Sequence, residues 1–172
     1  MRWHYRLRQF FMRVWARMSP PDKELAQSIL SEEAYLLFSE MSSGDQSHSL
    51  CVLRALRQTA EVSPELEQAA LLHDVGKAGA GLTLFHRALI VLLEATRVDW
   101  LERLAIADSH SWRYPFHVHL SHAEMGAARC ARAGCSSRTV MLVRYHEADL
   151  DAVDDASLRE QLAALRRADN RH

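Results

Sequence analysis

From Ala69 to Lys77 the chain reads Ala-Ala-Leu-Leu-His-Asp-Val-Gly-Lys, an apolar helical run that ends in adjacent His73 and Asp74. Burying an imidazole beside a carboxylate costs several kcal/mol unless the two are paired or ligated, so this stretch dictates what must surround it. Imidazole nitrogen and carboxylate oxygen together suit divalent ions such as Mn, Fe, Co, Ni or Zn. Gly76 is placed to take the left-handed backbone that ends many helices, which would fold the loop carrying Lys77 back over such ions. Taken alone, the dipeptide fits a capped helix end equally well.

The flanking patterns are helical throughout. Ser19-Pro20-Pro21-Asp22 stops one segment and starts another, with helices expected over Lys23–Leu30 and Glu32–Met41. Ser42-Ser43-Gly44-Asp45 reads as a break with a cap. The next helix is expected from Gln46 to about Ala60, with Leu50, Leu53 and Leu56 buried and His48 in its first turn. Pro64 opens the helix that runs into His73-Asp74. Gly76, Gly79 and Gly81 make a loop, and Thr83 to about Ala107 is one long helix or two broken ones. Ser109–Pro115 reads as irregular. A helix over Val118–Ala133 carries His122 and stops at Gly134; another over Arg138–Glu147 carries His146 near its end. An acidic loop, Asp149–Asp155, leads to a final amphipathic helix over Ala156–Asp169. No stretch alternates with period two and no segment repeats, so the class is all-α.

With 172 residues, 21 basic and 22 acidic, the chain is one domain with at most a terminal extension. Its balanced charge gives no global field for nucleic acid. The imbalance is local: Met1–Met18 holds Arg2, Arg6, Arg8, Arg13 and Arg17 and no acid. Trp3, Leu7, Phe10, Val14 and Met18 form one helical stripe. Such a helix can lie on an anionic membrane surface or dock on the domain; Phe11 and Trp15 widen the apolar face and favour docking. Residues 1–41 are therefore read as a basic, amphipathic helical extension and 42–172 as the main domain. Cys51, Cys130 and Cys135 form no CxxC pair and are odd in number, which points to a reducing compartment. Cys130 and Cys135 read as small apolar residues. With no secretory signal and no apolar run longer than Ala88–Leu93, a cytoplasmic protein is expected.

His48, His73-Asp74, His122, His146 and Asp169 fall on or at the ends of five separate helices, beside positions that face the core. A single histidine of this kind is ordinarily a hydrogen-bonded core residue. Five helices each delivering a histidine or aspartate to one interior imply a shared use for them.

In order, the chain presents His48 in Ser-His-Ser-Leu, His73-Asp74-Val-Gly-Lys77, His122-Ala-Glu-Met-Gly126-Ala, Tyr-His146-Glu147 and Leu-Arg-Arg-Ala-Asp169-Asn. This series resembles the HD-domain metal-dependent phosphohydrolases, most closely their His-Asp-x-Gly-Lys subclass, over roughly residues 42–170. The resemblance implies a five-helix core in which His48, His73, Asp74 and Asp169 hold one ion. It implies a second ion on His122 and His146, with Asp74 bridging the two. Asp74 would orient the attacking water and Lys77 would offer a point charge to phosphate oxygens. The implied substrate is a small phosphorylated molecule, a phosphoester or phosphoanhydride of a nucleotide.

Ala123 stands where that family commonly has proline, and Tyr145-His146 where the subclass often has two histidines, so a third ion is not implied. The Gly-Tyr-Pro segment of the cyclic-dinucleotide phosphodiesterase branch is missing after Glu147, and that substrate is not carried over. For the last ligand, Asp154 and Asp155 sit in or beside a loop, whereas Asp169 sits on an amphipathic helix and is chosen. His110, His117 and His119 lie just upstream of His122 and either line the cleft or stand exposed, as clustered histidines in an irregular segment often do; exposure is the reading favoured. Arg87 and Arg144 read as surface residues, and Cys51, one turn beyond His48, as core rather than site. A metal-binding, nucleotide-sensing module without turnover is the rival from another class. It would keep the ligands and lose the phosphate-contacting group, and Lys77 argues against it. A bundle whose histidines merely fill space would bind no stoichiometric metal.

Overall fold

Nine α-helices, two 3-10 turns and no strand make up the described residues, 22–59 and 62–171, of the computed structural model. The basic stripe over Met1–Met18 lies outside them. The helices are α1 (Lys23–Ile29), α2 (Glu32–Glu40), α3 (Ser43–Arg57), α4 (Pro64–Leu72) and α5 (Leu84–Thr96). They continue as α6 (Val98–Leu104), α7 (Tyr114–Arg132), α8 (Ser137–Tyr145) and α9 (Ala156–Asp169). The all-α expectation holds.

Short polar side chains fix most helix starts. Ser31, Ser63 and Ser136 accept from the backbone N–H three residues on, at 3.3, 3.3 and 3.1 Å. Each satisfies an orphan donor of the first turn. Two starts lie earlier than the sequence suggests. Ser42 is itself the cap of α3: its hydroxyl accepts from Asp45 N–H at 3.2 Å and donates to Asp45 Oδ2 at 2.7 Å. Gly44 and Asp45 are thus helical, and His48 sits in the second turn rather than the first. Likewise α7 begins at Tyr114 with Pro115 in its first turn, where a missing N–H is harmless. The region from Thr83 divides into two helices, with Arg97 at φ −150° between them.

One core joins α1–α4 to α7–α9, built on Ala26, Phe38, Leu53, Leu71, Leu142 and Leu162. Both α1 and α2 share this core with the site-bearing helices. A smaller cluster of Ile90, Leu93, Leu101 and Phe116 ties α5 and α6 to the start of α7. Among the described residues no helix is long and apolar enough to cross a membrane.

Candidate metal centre

The apolar run of α4 carries His73 and Asp74 into the interior. His73 keeps helical angles as the C-cap, Asp74 turns to φ −97°, ψ 6°, and Val75–Lys77 follow as one 3-10 turn. The left-handed backbone expected at Gly76 is not there; the positive-φ glycines among the described residues are Gly79, Gly81 and Gly134. Gly76 serves another end. A Cβ on it would lie 1.9 Å from the His122 carbonyl oxygen and 2.8 Å from Gly126 N, so the turn rests directly on the α7 backbone. That contact brings His73-Asp74 to His122.

Three histidines are aimed by the same device. His73 Nδ1 lies 3.0 Å from the Ala70 carbonyl, His122 Nδ1 2.7 Å from that of His119, and His146 Nδ1 2.7 Å from that of Val143. A carbonyl only accepts, so each Nδ1 donates to it and each Nε2 is left facing inward. The atoms so presented form two groups, each within 4.8 Å: His48, His73 and Asp169, and Asp74, His122 and His146. His122 Nε2 faces His146 Nε2 at 3.3 Å and Asp74 Oδ1 at 3.5 Å, while Asp74 Oδ1 is also 3.8 Å from His73 Nε2. Asp74 therefore stands between the groups. His48 Nε2 meets Asp169 Oδ1 at 2.8 Å. All six candidate ligands converge, and the buried group of Asp74, His122 and His146 can hold a metal ion.

The field shifts four of the six groups. Burial pushes the His122 imidazole down to a pKa of about 2, aided by the Lys77 ammonium. Burial likewise lowers His146, with His73 adding to it. Burial alone would raise the carboxyl of Asp74, but Lys77 and the surrounding imidazoles outweigh it and hold that pKa well below the usual range. Asp169 is lowered too, its burial outweighed by the bond from His48. The His122 and His146 imidazoles, their pKa values held low and their Nε2 atoms 3.3 Å apart beside the ionised Asp74, fit a metal cation.

Lys77 Nζ donates to Asp74 Oδ1 at 2.7 Å, so it lies over the centre as expected. Asp155 is engaged elsewhere, capping α9 through Leu158 N–H and pairing with Arg138, and Asp154 is exposed; Asp169 is the acid at the centre. His119 is not simply exposed: it pairs with Glu94 at 2.9 Å and its ring stacks 6.1 Å from that of His122. Arg87 is partly buried and holds both Asp45 oxygens at 3.3 Å, so it too departs from the surface reading. Arg144 pairs with Glu124, His110 is exposed, and Cys51 is half-buried.

Two supports escaped the sequence reading. Arg129 of α7 donates to the Val75 carbonyl at 3.1 Å and pairs with Glu40, clamping the turn of Gly76. Arg166 of α9 donates to the His146 carbonyl at 2.7 Å, one turn before Asp169. An arginine near a helix C-terminus looks solvated in sequence, and only the tertiary path of the partner backbone reveals such a role.

Compared with family models, with curated proteins and with solved structures, the chain matches none.

Proposed function

We propose that the chain is a metal-dependent phosphohydrolase that cleaves a phosphoester or phosphoanhydride of a small, nucleotide-like substrate. The observation that carries this reading is the facing pair of Nε2 atoms of His122 and His146, 3.3 Å apart beside the buried Asp74 carboxylate, with both imidazole pKa values held low by burial. Lone pairs in that arrangement repel, and a cation bound among them converts repulsion into ligation. His48, His73, Asp74 and Asp169 would hold one ion, and His122 and His146, with Asp74 shared, a second, drawn from Mn, Fe, Co, Ni or Zn. Bound there, such ions supply positive charge to a phosphoryl group and lower the pKa of water.

The protein's own groups do the rest. Asp74, held ionised, fixes the spacing between the two halves of the site. Lys77 offers an ammonium to phosphate oxygens and can leave Asp74 to do so. Glu147, exposed at the rim with Oε1 3.5 Å from His122 Nε2, is placed to accept a proton from an entering water. The ordered likeness to the HD-domain phosphohydrolases supports phosphoryl chemistry as the reaction class.

The test is metal content by mass spectrometry on untagged protein, paired with a screen of nucleotide phosphates. The proposal expects about two transition ions per chain, falling to about one in His122→Ala, together with phosphate release by the wild type. Two ions without turnover on any nucleotide would favour the sensing module instead. No ion after reconstitution with manganese and iron would refute both.

A further inference from the structure

Away from the metal centre, the joint between α7 and α8 brings two thiols together. α7 ends in a Schellman turn, with Gly134 left-handed at φ +74°. Cys135 N–H donates to the Cys130 carbonyl at 3.0 Å, and Gly134 N–H donates to the Ala131 carbonyl at 3.2 Å. In this motif the side chains of the first and last residues meet. Here both are cysteines. An N···O link of 3.0 Å, extended by the backbone on either side, limits the Cα separation to about 7 Å. Disulfides span about 4.4–6.8 Å between Cα atoms. The two thiols lie near enough for each to shift the other's hold on its proton.

We propose that Cys130 and Cys135 form a reversible redox site, oxidised to an intramolecular disulfide by small-molecule disulfides of the glutathione class. Cys135 is the attacking thiol. It is half-buried and opens on a surface cleft of about 170 Å³ that Ser31, Pro64, Gln68 and Ser136 also line. It directly precedes Ser136, the N-cap of the nine-residue α8, whose positive end favours a thiolate. The neighbouring Cys130 lowers the Cys135 thiol against the opposing effect of burial, and Cys135, with burial, raises Cys130. Cys130, fully buried, is the resolving thiol.

The chemistry closes without a further reactant. The Cys135 thiolate attacks one sulphur of the reagent; a mixed disulfide forms and the other half leaves as a thiolate with the bonding pair. Cys130 gives its proton to a departing thiolate and attacks the Cys135 sulphur, releasing the second half. Two protein thiols are oxidised, and one reagent disulfide is reduced to two thiols. The new bond crosses the joint between the helix of His122 and the helix that delivers His146.

The site is tested on the full chain with oxidised glutathione, quenched in denaturant with N-ethylmaleimide and digested with trypsin without reductant. Trypsin cuts after Arg129, Arg132 and Arg138, so the bond would join Cys130–Arg132 to Ala133–Arg138 as one linked peptide. The expected result is that linked peptide, with two of the three thiols lost together and both recovered by dithiothreitol. Cys51→Ser should leave it unchanged and Cys135→Ser should abolish it. A stable glutathione adduct on Cys135 with Cys130 still alkylated would overturn the proposal. So would full alkylation of both thiols after oxidation of the wild type.

Discussion

Gly76 and Gly126 face each other where the turn after Asp74 meets α7, and they tolerate a methyl group very differently. At Gly76 a Cβ would strike the His122 carbonyl at 1.9 Å, backbone against backbone, with no flexible side chain to yield. At Gly126 the nearest atoms are Gly76 N at 3.2 Å and Val143 Cγ1 at 3.3 Å. Overpacking of this kind costs about 1–3 kcal/mol and sometimes more, while alanine gains about 1 kcal/mol over glycine inside a helix. Gly76→Ala should therefore destabilise by about 3 kcal/mol or more and Gly126→Ala by about 1 kcal/mol or less. Urea unfolding of the metal-free proteins ranks them, and the reverse order would show that the turn does not rest on α7. At this scale the residues that converge were legible in the sequence, because histidine and aspartate beside apolar helical positions stand out. Gly76 was legible only as an exception to side-chain bulk. Whether it supplied a backbone angle or a close approach depended on α7, more than forty residues away.

Elements were legible where their signals are local. The range of α9 and the proline start of α4 are written in neighbouring residues and stand as expected. The start of α3 was obscured because serine, glycine and aspartate serve equally as a break or as a first turn. The Ser42–Asp45 pair of bonds decides for the turn. What joins the elements was not legible. Arg166 sits on α9 one turn before Asp169 and holds the carbonyl of His146, so it couples the two halves of the site through the backbone rather than through a ligand. Removing such an outer support typically lowers metal affinity about 10–100-fold. Arg166→Met, which keeps the apolar stem, should weaken metal binding by about tenfold or more with helicity unchanged. Arg167→Met, on an exposed neighbour, is the control. Competition with a metallochromic chelator measures both, and equal affinities would remove Arg166 from any role at the centre.

The fold as a whole buries His122 and His146 where protonation is disfavoured, and this fixes how its stability must respond to acid and to metal. An unfolded histidine takes up a proton near pH 6.5, whereas folded His122 resists until about pH 2; His146 is shifted the same way. Below pH 6.5 the unfolded chain therefore binds more protons than the folded one, so stability falls as pH falls, by about 1.4 kcal/mol per pH unit for His122. Asp74 and Asp169, both lowered, act with the same sign from about pH 4 downward. From pH 7 to pH 5 His122 alone should remove about 2 kcal/mol, and His146 acts in the same direction. A bound ion opposes the loss, because it binds the folded ligands and adds about 2.7 kcal/mol at a hundredfold excess over its dissociation constant. Chelator-stripped protein should thus lose about 2 kcal/mol or more between pH 7 and pH 5 in urea unfolding, and manganese should raise stability at pH 7. His122→Gln, which keeps a polar group but cannot take up a proton, should show a shallower slope than wild type in the stripped state. Stripped wild type that is equally stable at pH 5 and pH 7 would mean the imidazoles are not held neutral in the interior, and the facing lone pairs on which the metal centre rests would go with them.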